Sequence, residues 1–218
     1  MKISINKAHY PVTVLGPGKR IGIWLQGCSI GCKGCVSQDT WKRDAGRDMT
    51  VAKLITWCKQ STQKDFAGIT ISGGEPFDQT AALSALLDAL HAWRKTEQLD
   101  FDILCYSGYP LATLQKMHQK ILDKLDALIP EPYIDAQPPT RLWRGSANQT
   151  LQLFTPRAQQ KYAALVDAIP DDSNKRMQTM LDGNKLWYVG IPGRGDMSAL
   201  EDICKSRGVE LSDVSWRS

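Results

Sequence analysis

Nowhere does the 218-residue sequence offer the ~20 consecutive apolar residues that a membrane span requires. Its richest stretch, Ala81 to Leu90, is interrupted by Asp88 and followed by His91, Arg94 and Lys95, so no membrane partner is expected. No apolar signal segment follows Met1 to Ser4, which makes the cytoplasm the expected compartment. No basic run is dense enough to mark a nucleic-acid surface. Internal repeats and low-complexity segments are also missing, and 42% hydrophobic with 23% charged residues is a globular balance. The length suits one domain with an appendage.

What is present is unevenly placed. The net charge of +4 arises entirely before residue 155, and residues 1 to 53 alone hold nine basic side chains against Asp39, Asp44 and Asp48. That excess reads either as solvated loops or as a field favouring an anionic cofactor or partner, with Lys19, Arg20 and Lys33 as contributors. Three of the six cysteines, Cys28, Cys32 and Cys35, fall within eight residues. Cys58, Cys105 and Cys204 are isolated and are expected to pack as small hydrophobes. So tight a cluster in a chain without a leader reads as metal ligands rather than as a secreted disulfide framework.

Apolar runs of strand type cover Lys19 to Gln26, Phe66 to Ser72, Phe101 to Tyr106 and Ala127 to Ile129. Helical periodicity separates them over Thr50 to Ser61, Asp78 to Trp93 and Leu111 to Lys120, with Asp78 a suitable cap. Trp57, Leu86 and Ile103 are assigned to the core only. The alternation implies a parallel α/β sheet whose chemistry lies beyond the carboxyl ends of its strands. From Thr155 the pattern changes to a helix at Pro156 to Ile169, a hairpin of Arg176 to Leu181 and Lys185 to Ile191 around Asp182-Gly183-Asn184, and a helix at Ser198 to Ser206. The expected division is therefore a core over 1–154 and a small β-hairpin/helix appendage over 155–218.

Cys28, Cys32 and Cys35 offer three thiolates, with Gly27, Gly31 and Gly34 allowing the loop to fold around a metal centre. Structural zinc wants four ligands, and His9 and His91 are distant in sequence. A [4Fe-4S] cluster on three cysteines leaves one iron open to a substrate or cofactor, while zinc and a redox arrangement stand as alternatives. The turn Thr70-Ile71-Ser72-Gly73-Gly74-Glu75-Pro76 has neither the Lys-Ser/Thr of a phosphate loop nor a dinucleotide fingerprint. It is either structural or a place where glycine carbonyls and Glu75 accept hydrogen bonds from a ligand ammonium.

Taken with Tyr10-Pro11-Val12, Gly16-Pro17-Gly18-x-Arg20, Thr40-Trp41, Ser107-Gly108-Tyr109 and Trp143-Arg144-Gly145-Ser146-x-Asn148-Gln149, the two motifs form an ordered set. The sequence resembles the radical S-adenosylmethionine (SAM) enzymes, and within them the activating proteins of anaerobic ribonucleotide reductase. The resemblance implies a partial (β/α) barrel and a [4Fe-4S] cluster on Cys28, Cys32 and Cys35 whose open iron binds SAM. It further implies SAM contacts from Gly34, Val36, Gly73, Gly74 and Glu75, with Ser107 and Asn148 as additional contacts. Arg144 would face an anionic group or form an interdomain ion pair. The implied reaction is reductive cleavage of SAM to a 5′-deoxyadenosyl radical, with a glycyl-radical enzyme as protein substrate and a flavodoxin or ferredoxin as electron donor. Modification of another protein, peptide or small molecule is the alternative, and a non-catalytic metal-binding interaction module is the alternative of another class. Where these activators usually carry Tyr-Asn after the third cysteine this chain has Val36-Ser37, and near residue 130 an Asp-Gly pair gives way to Pro130-Glu131-Pro132.

Overall fold

A computed structural model describes residues 1–62, 65–170, 177–183, 185–193 and 195–217. One seven-stranded sheet organises the chain: β1 (Lys2–Val12), β2 (Arg20–Leu25), β3 (Asp48–Thr50), β4 (Gly68–Gly73), β5 (Asp102–Tyr106), β6 (Ala127–Ile129) and β7 (Gln152–Leu153), in the order β3-β1-β2-β4-β5-β6-β7. β2, β4, β5 and β6 are parallel, whereas β1, β3 and β7 run antiparallel to their neighbours. The fold is thus mixed α/β with a mostly parallel centre. Helices α1 (Val51–Thr62), α2 (Thr80–Thr96) and α3 (Leu111–Leu122) form the crossovers.

β1 had no counterpart in the sequence reading. Its polar positions Lys2, Asn6, Lys7 and His9 obscure the pattern, yet Ile3 and Ile5 alternate inward to the core. β3 and β7 were likewise not expected; elsewhere the boundaries agree within a few residues, except that a short 3₁₀ turn, Pro76–Gln79, precedes α2 and the helix beginning at Pro156 is shorter than expected.

Alternation along the strands builds one core on the helix face of the sheet and two clusters on the opposite face. Ile21, Ile23 and Leu25 of β2, Ile69 and Ile71 of β4, and Ile103 and Cys105 of β5 point to the helices and pack with Leu83, Leu86, Leu87 and Leu90 of α2. Each such leucine contributes about 1.5–3 kcal/mol of hydrophobic stabilisation. Leu86 and Ile103 are fully buried and Trp57 is partly buried against the same core. Trp24 and Leu104 point to the opposite face, which the later residues cover. There α4 (Pro156–Tyr162) lays Ala158 and Tyr162 on Leu104, Ala127 and Ile129. The hairpin of β8 (Met177–Asp182) and β9 (Lys185–Gly190) lays Val189 against Val12, Val14 and Trp24. Gln178 fastens it, donating to Pro11 O at 2.7 Å and accepting from Thr13 N at 2.9 Å. The last helix, α5, spans Asp196–Ser206. Arg176 and Asn184, expected at the hairpin, lie outside the described residues.

The helix expected over Pro156 to Ile169 ends at Tyr162 and continues as a 3₁₀ turn, Ala163–Leu165. Cys58, Cys105 and Cys204 are buried, and all six cysteines are free thiols.

Candidate active site

β2, β4 and β5 end together, so their following loops meet at one edge of the sheet. The register pairs Leu25 with Gly73 at the ends of β2 and β4. From there Gly74 N donates to Leu25 O and Glu75 N to Gly27 O, each at 2.8 Å. Gly73 sits at φ +101°, and a β-carbon there would lie 2.4 Å from Leu25 N. One on Gly74 would lie 2.1 Å from Gly27 O. These two glycines let the turn press backbone to backbone against the start of the cysteine loop, a packing role that ligand access alone did not suggest.

The loop that follows closes on itself: Gly27 N donates to Thr40 O at 2.7 Å and Cys28 N to Trp41 O at 3.0 Å. Gly27, Gly31 and Gly34 all take positive φ within it. Cys28, Cys32 and Cys35 are half-buried on this one loop. Burial pushes the Cys28 thiol up from its ordinary value, opposed by the backbone amides of Gly31 and Ile30. Burial also raises the Cys35 thiol, opposed by the Ser37 amide, which lies 3.4 Å from Sγ, and by Trp41. Main-chain donors thus already point at sulfur.

Glu75 is 1% exposed and bridges two loops. Oε1 accepts from Phe77 N and Ser107 Oγ, both at 2.9 Å, and Oε2 accepts from Gly108 N at 2.8 Å. Ser107 Oγ in turn accepts from Tyr109 N at 3.1 Å. A carboxylate has about four lone-pair positions, so one on Oε2 remains for a ligand donor. Burial raises the Glu75 pKa to about 7 in spite of those three donors. Between the unfolded value near 4.5 and about 7 the folded chain holds a proton that the unfolded chain has released, so stability falls as pH rises through this window. The chain without bound groups should lose about 3 kcal/mol from this residue between pH 5 and pH 8, at about 1.4 kcal/mol per pKa unit. Denaturant titrations should show Glu75→Gln gaining on the unsubstituted protein across that range. A gap that does not change with pH would contradict the assignment.

Asp78, expected to cap α2, instead holds the tip of the cysteine loop. Oδ2 accepts from Ser29 N at 2.7 Å, while Oδ1 accepts from Ser29 Oγ at 2.9 Å and Tyr109 Oη at 2.8 Å. Sequence reasoning missed this role because no local pattern links residues 29, 78 and 109. Asn148 donates from Nδ2 to Pro132 O at 2.9 Å, and its buried Oδ1 has no partner among the described residues. Gln149 donates to Glu131 O, so the pair 148–149 holds the Pro130–Pro132 segment. Gly34 and Val36 lie on the cysteine loop itself, Gly34 beside Asp135.

Two expected cations belong elsewhere. Arg20 is fully buried against Asp102 and Lys19 pairs with Asp65, both at the opposite end of β2, roughly 17 Å away at ~3.3 Å per residue. Only Lys33 of the three stands at the loop. Arg144 forms no ion pair among the described residues. It donates to Leu142 O and Val166 O instead, and burial lowers its pKa.

The family described as a 4Fe-4S single cluster domain matches residues 14–152. The anaerobic ribonucleoside-triphosphate reductase-activating protein of Vibrio cholerae is 39% identical over 152 residues, covering 67% of this chain and 96% of that protein. Its counterpart from Haemophilus influenzae is 34% identical with the same coverage. The chain belongs to this 4Fe-4S family of activating proteins. The corresponding protein of Enterobacteria phage T4 is 29% identical, covering 63% of this chain and 86% of that protein. Escherichia coli QueE overlays with a TM-score of 0.44 at 16% identity, covering 97% of this chain and 93% of QueE.

The loop fits the family's cluster. Cys28, Cys32 and Cys35 are carried together on one short loop, each as a free thiol. Free thiols, amides directed at sulfur and the unpartnered Asn148 Oδ1 complete a donor set suited to a cluster and a polar cofactor.

Proposed function

We propose that this chain is a radical SAM activating enzyme that forms a glycyl radical on a partner anaerobic ribonucleotide reductase, with its [4Fe-4S] cluster on Cys28, Cys32 and Cys35. The observation that carries this reading is the three-cysteine loop at the carboxyl edge of the parallel strands, hydrogen-bonded to the Gly73-Gly74-Glu75 turn. When bound and reduced, the cluster supplies the electron that splits SAM into methionine and a 5′-deoxyadenosyl radical.

This chain's residues do the remaining work. The last free position on Glu75 Oε2 and the carbonyls of Gly73 and Gly74 accept from the SAM ammonium. Gly34 and Val36 line the methionine end, and Asn148 Oδ1 takes a donor from the nucleoside. Ser107 holds Glu75 in place. Residues 1–154 form the radical SAM core, an open sheet read as a partial barrel, and residues 155–218 form an appendage covering its second face. The exposed Lys33 suits an acidic electron carrier such as a flavodoxin or ferredoxin. Six free thiols suit a reducing cytoplasm, and among the described residues no helix is long and apolar enough to cross a membrane.

Anaerobic reconstitution with iron and sulfide, followed by dithionite and SAM, should release 5′-deoxyadenosine. Adding the partner reductase should give the spin-resonance doublet of a glycyl radical. A protein that takes up only zinc and leaves SAM intact would overturn the reading.

A further inference from the structure

The residues just after the third cysteine are held by the far end of the chain. Gln38 N donates to Ser215 O at 2.7 Å, and Ser215 Oγ donates to Val36 O at 2.8 Å. Gln38 Nε2 donates both to Trp216 O at 3.0 Å and to Cys35 O at 3.1 Å. One side chain therefore grips the cysteine backbone and the terminal strap together. The strap has anchors of its own. The Trp216 indole donates to Glu201 of α5 and meets Tyr188 of β9 edge-on at 6.5 Å, while Arg217 pairs with Glu201 at 2.9 Å. Residues 153–218 lie beyond the part matched by the family, so this clamp is an addition to the activating-protein core.

The clamp acts where it can influence sulfur. Ser37 N, the donor to Cys35 Sγ, lies between Val36 and Gln38, both of which the strap holds. Thr40 closes the segment, its Oγ1 donating to Ser37 O at 2.6 Å. A hydrogen bond to a cluster thiolate stabilises the more negative reduced state, so its firmness bears on the reduction potential.

We infer that the Ser215–Trp216 strap and Gln38 are positioning residues for Cys35, fixing the Ser37 amide on its sulfur and thereby slowing cluster loss and raising the cluster's reduction potential. The inference rests on Cys28, Cys32 and Cys35 holding the cluster.

The test uses the full chain, reconstituted anaerobically, with Gln38→Ala, Trp216→Ala and the double substitution. Iron release to a chelator should quicken about fivefold in each single variant, the worth of a hydrogen bond. The two substitutions share only the Gln38–Trp216 contact, since Ser215 still bonds Gln38 N and Val36 O in Gln38→Ala, so the double variant should release iron by less than the product of the two single effects. Redox titration should show a lower midpoint potential in each. If Trp216→Ala disturbs the appendage, as circular dichroism would reveal, Gln38→Ala still carries the test because its side chain is outside the appendage. Unchanged release and potential in Gln38→Ala, or multiplicative effects in the double variant, overturn the inference. Cys32→Ala separates the two levels. Full iron content in that variant would remove the cluster assignment, whereas loss of iron there with unchanged Gln38→Ala would remove only the strap.

Discussion

Cys32→Ala should empty the site: anaerobic reconstitution should fall from about four irons per chain to about none, and 5′-deoxyadenosine should become undetectable. The size of the effect follows from the count of ligands. On the proposed ligand set of Cys28, Cys32 and Cys35, each corner of the cluster but one would be fixed by protein, and two thiolates would be too few to resist loss to solvent or to chelators. Cys32 lies on a half-buried loop and neither packs in a core nor ties elements together, so the metal-free variant should unfold within about 0.5 kcal/mol of the unsubstituted protein. Cys58→Ala makes the opposite control. It removes a fully buried thiol from α1, costing some stability, but should load iron normally. Iron analysis beside a urea titration reads both quantities, and full iron in Cys32→Ala would refute the cluster assignment.

The loops that meet at the sheet edge were legible where their pattern was local. Three cysteines in eight residues and a Gly-Gly-Glu turn after a β-branched strand are patterns that adjacent residues spell out. Parallel strands then bring such loops to one edge, so their convergence followed from topology. Asp78 illustrates what could not be read. Its bonds to Ser29 and Tyr109 join three separate loops, and helix-capping logic gave it a plausible local role that the fold overrode. The glycines at 73 and 74 make the same point, because what fills their missing β-carbon space is backbone from another strand. The hairpin and last helix were visible as periodicity, whereas their placement over the second face depended on contacts such as Gln178 with Pro11. Even β1 was hidden because only Ile3 and Ile5 carry its inward pattern near the start.

Arg20 is the instructive misreading, and it yields the largest stability effect. A basic residue near a cysteine cluster suggested an electrostatic partner for bound anions, but β2 carries it to the other end of the sheet. There its Nη2 lies 2.7 Å and its Nη1 3.1 Å from the Asp102 oxygens, Nε donates to Thr70 Oγ1 at 2.7 Å, and both charged side chains have no exposure. Gly68 makes the space, since a β-carbon there would sit 2.2 Å from Nη1. Tyr162 of α4 donates to Asp102 as well, so the buried pair also fastens the later residues to the sheet. Burial works against the Asp102 charge, but Arg20 outweighs it and holds the carboxyl below the ordinary aspartate value. Its contribution is therefore present above about pH 4 and lost as pH falls through the lowered folded value. Asp102→Ala should cost about 3–5 kcal/mol, because it leaves a buried guanidinium without a counter-charge. In a protein with ~5–15 kcal/mol of total stability, that lowers the melting temperature by roughly 10 °C. Replacing both partners, as Arg20→Met with Asp102→Leu, should recover most of the loss, since a packed apolar pair avoids the desolvation penalty. Calorimetry of the single and double variants checks this, and equal losses in both would mean that packing rather than unpaired charge sets the cost. Iron loading at low temperature should survive in either variant, because the pair lies a strand's length from the cysteine loop. Stability would then fail with the cluster site still competent, the reverse of what Cys32→Ala should show.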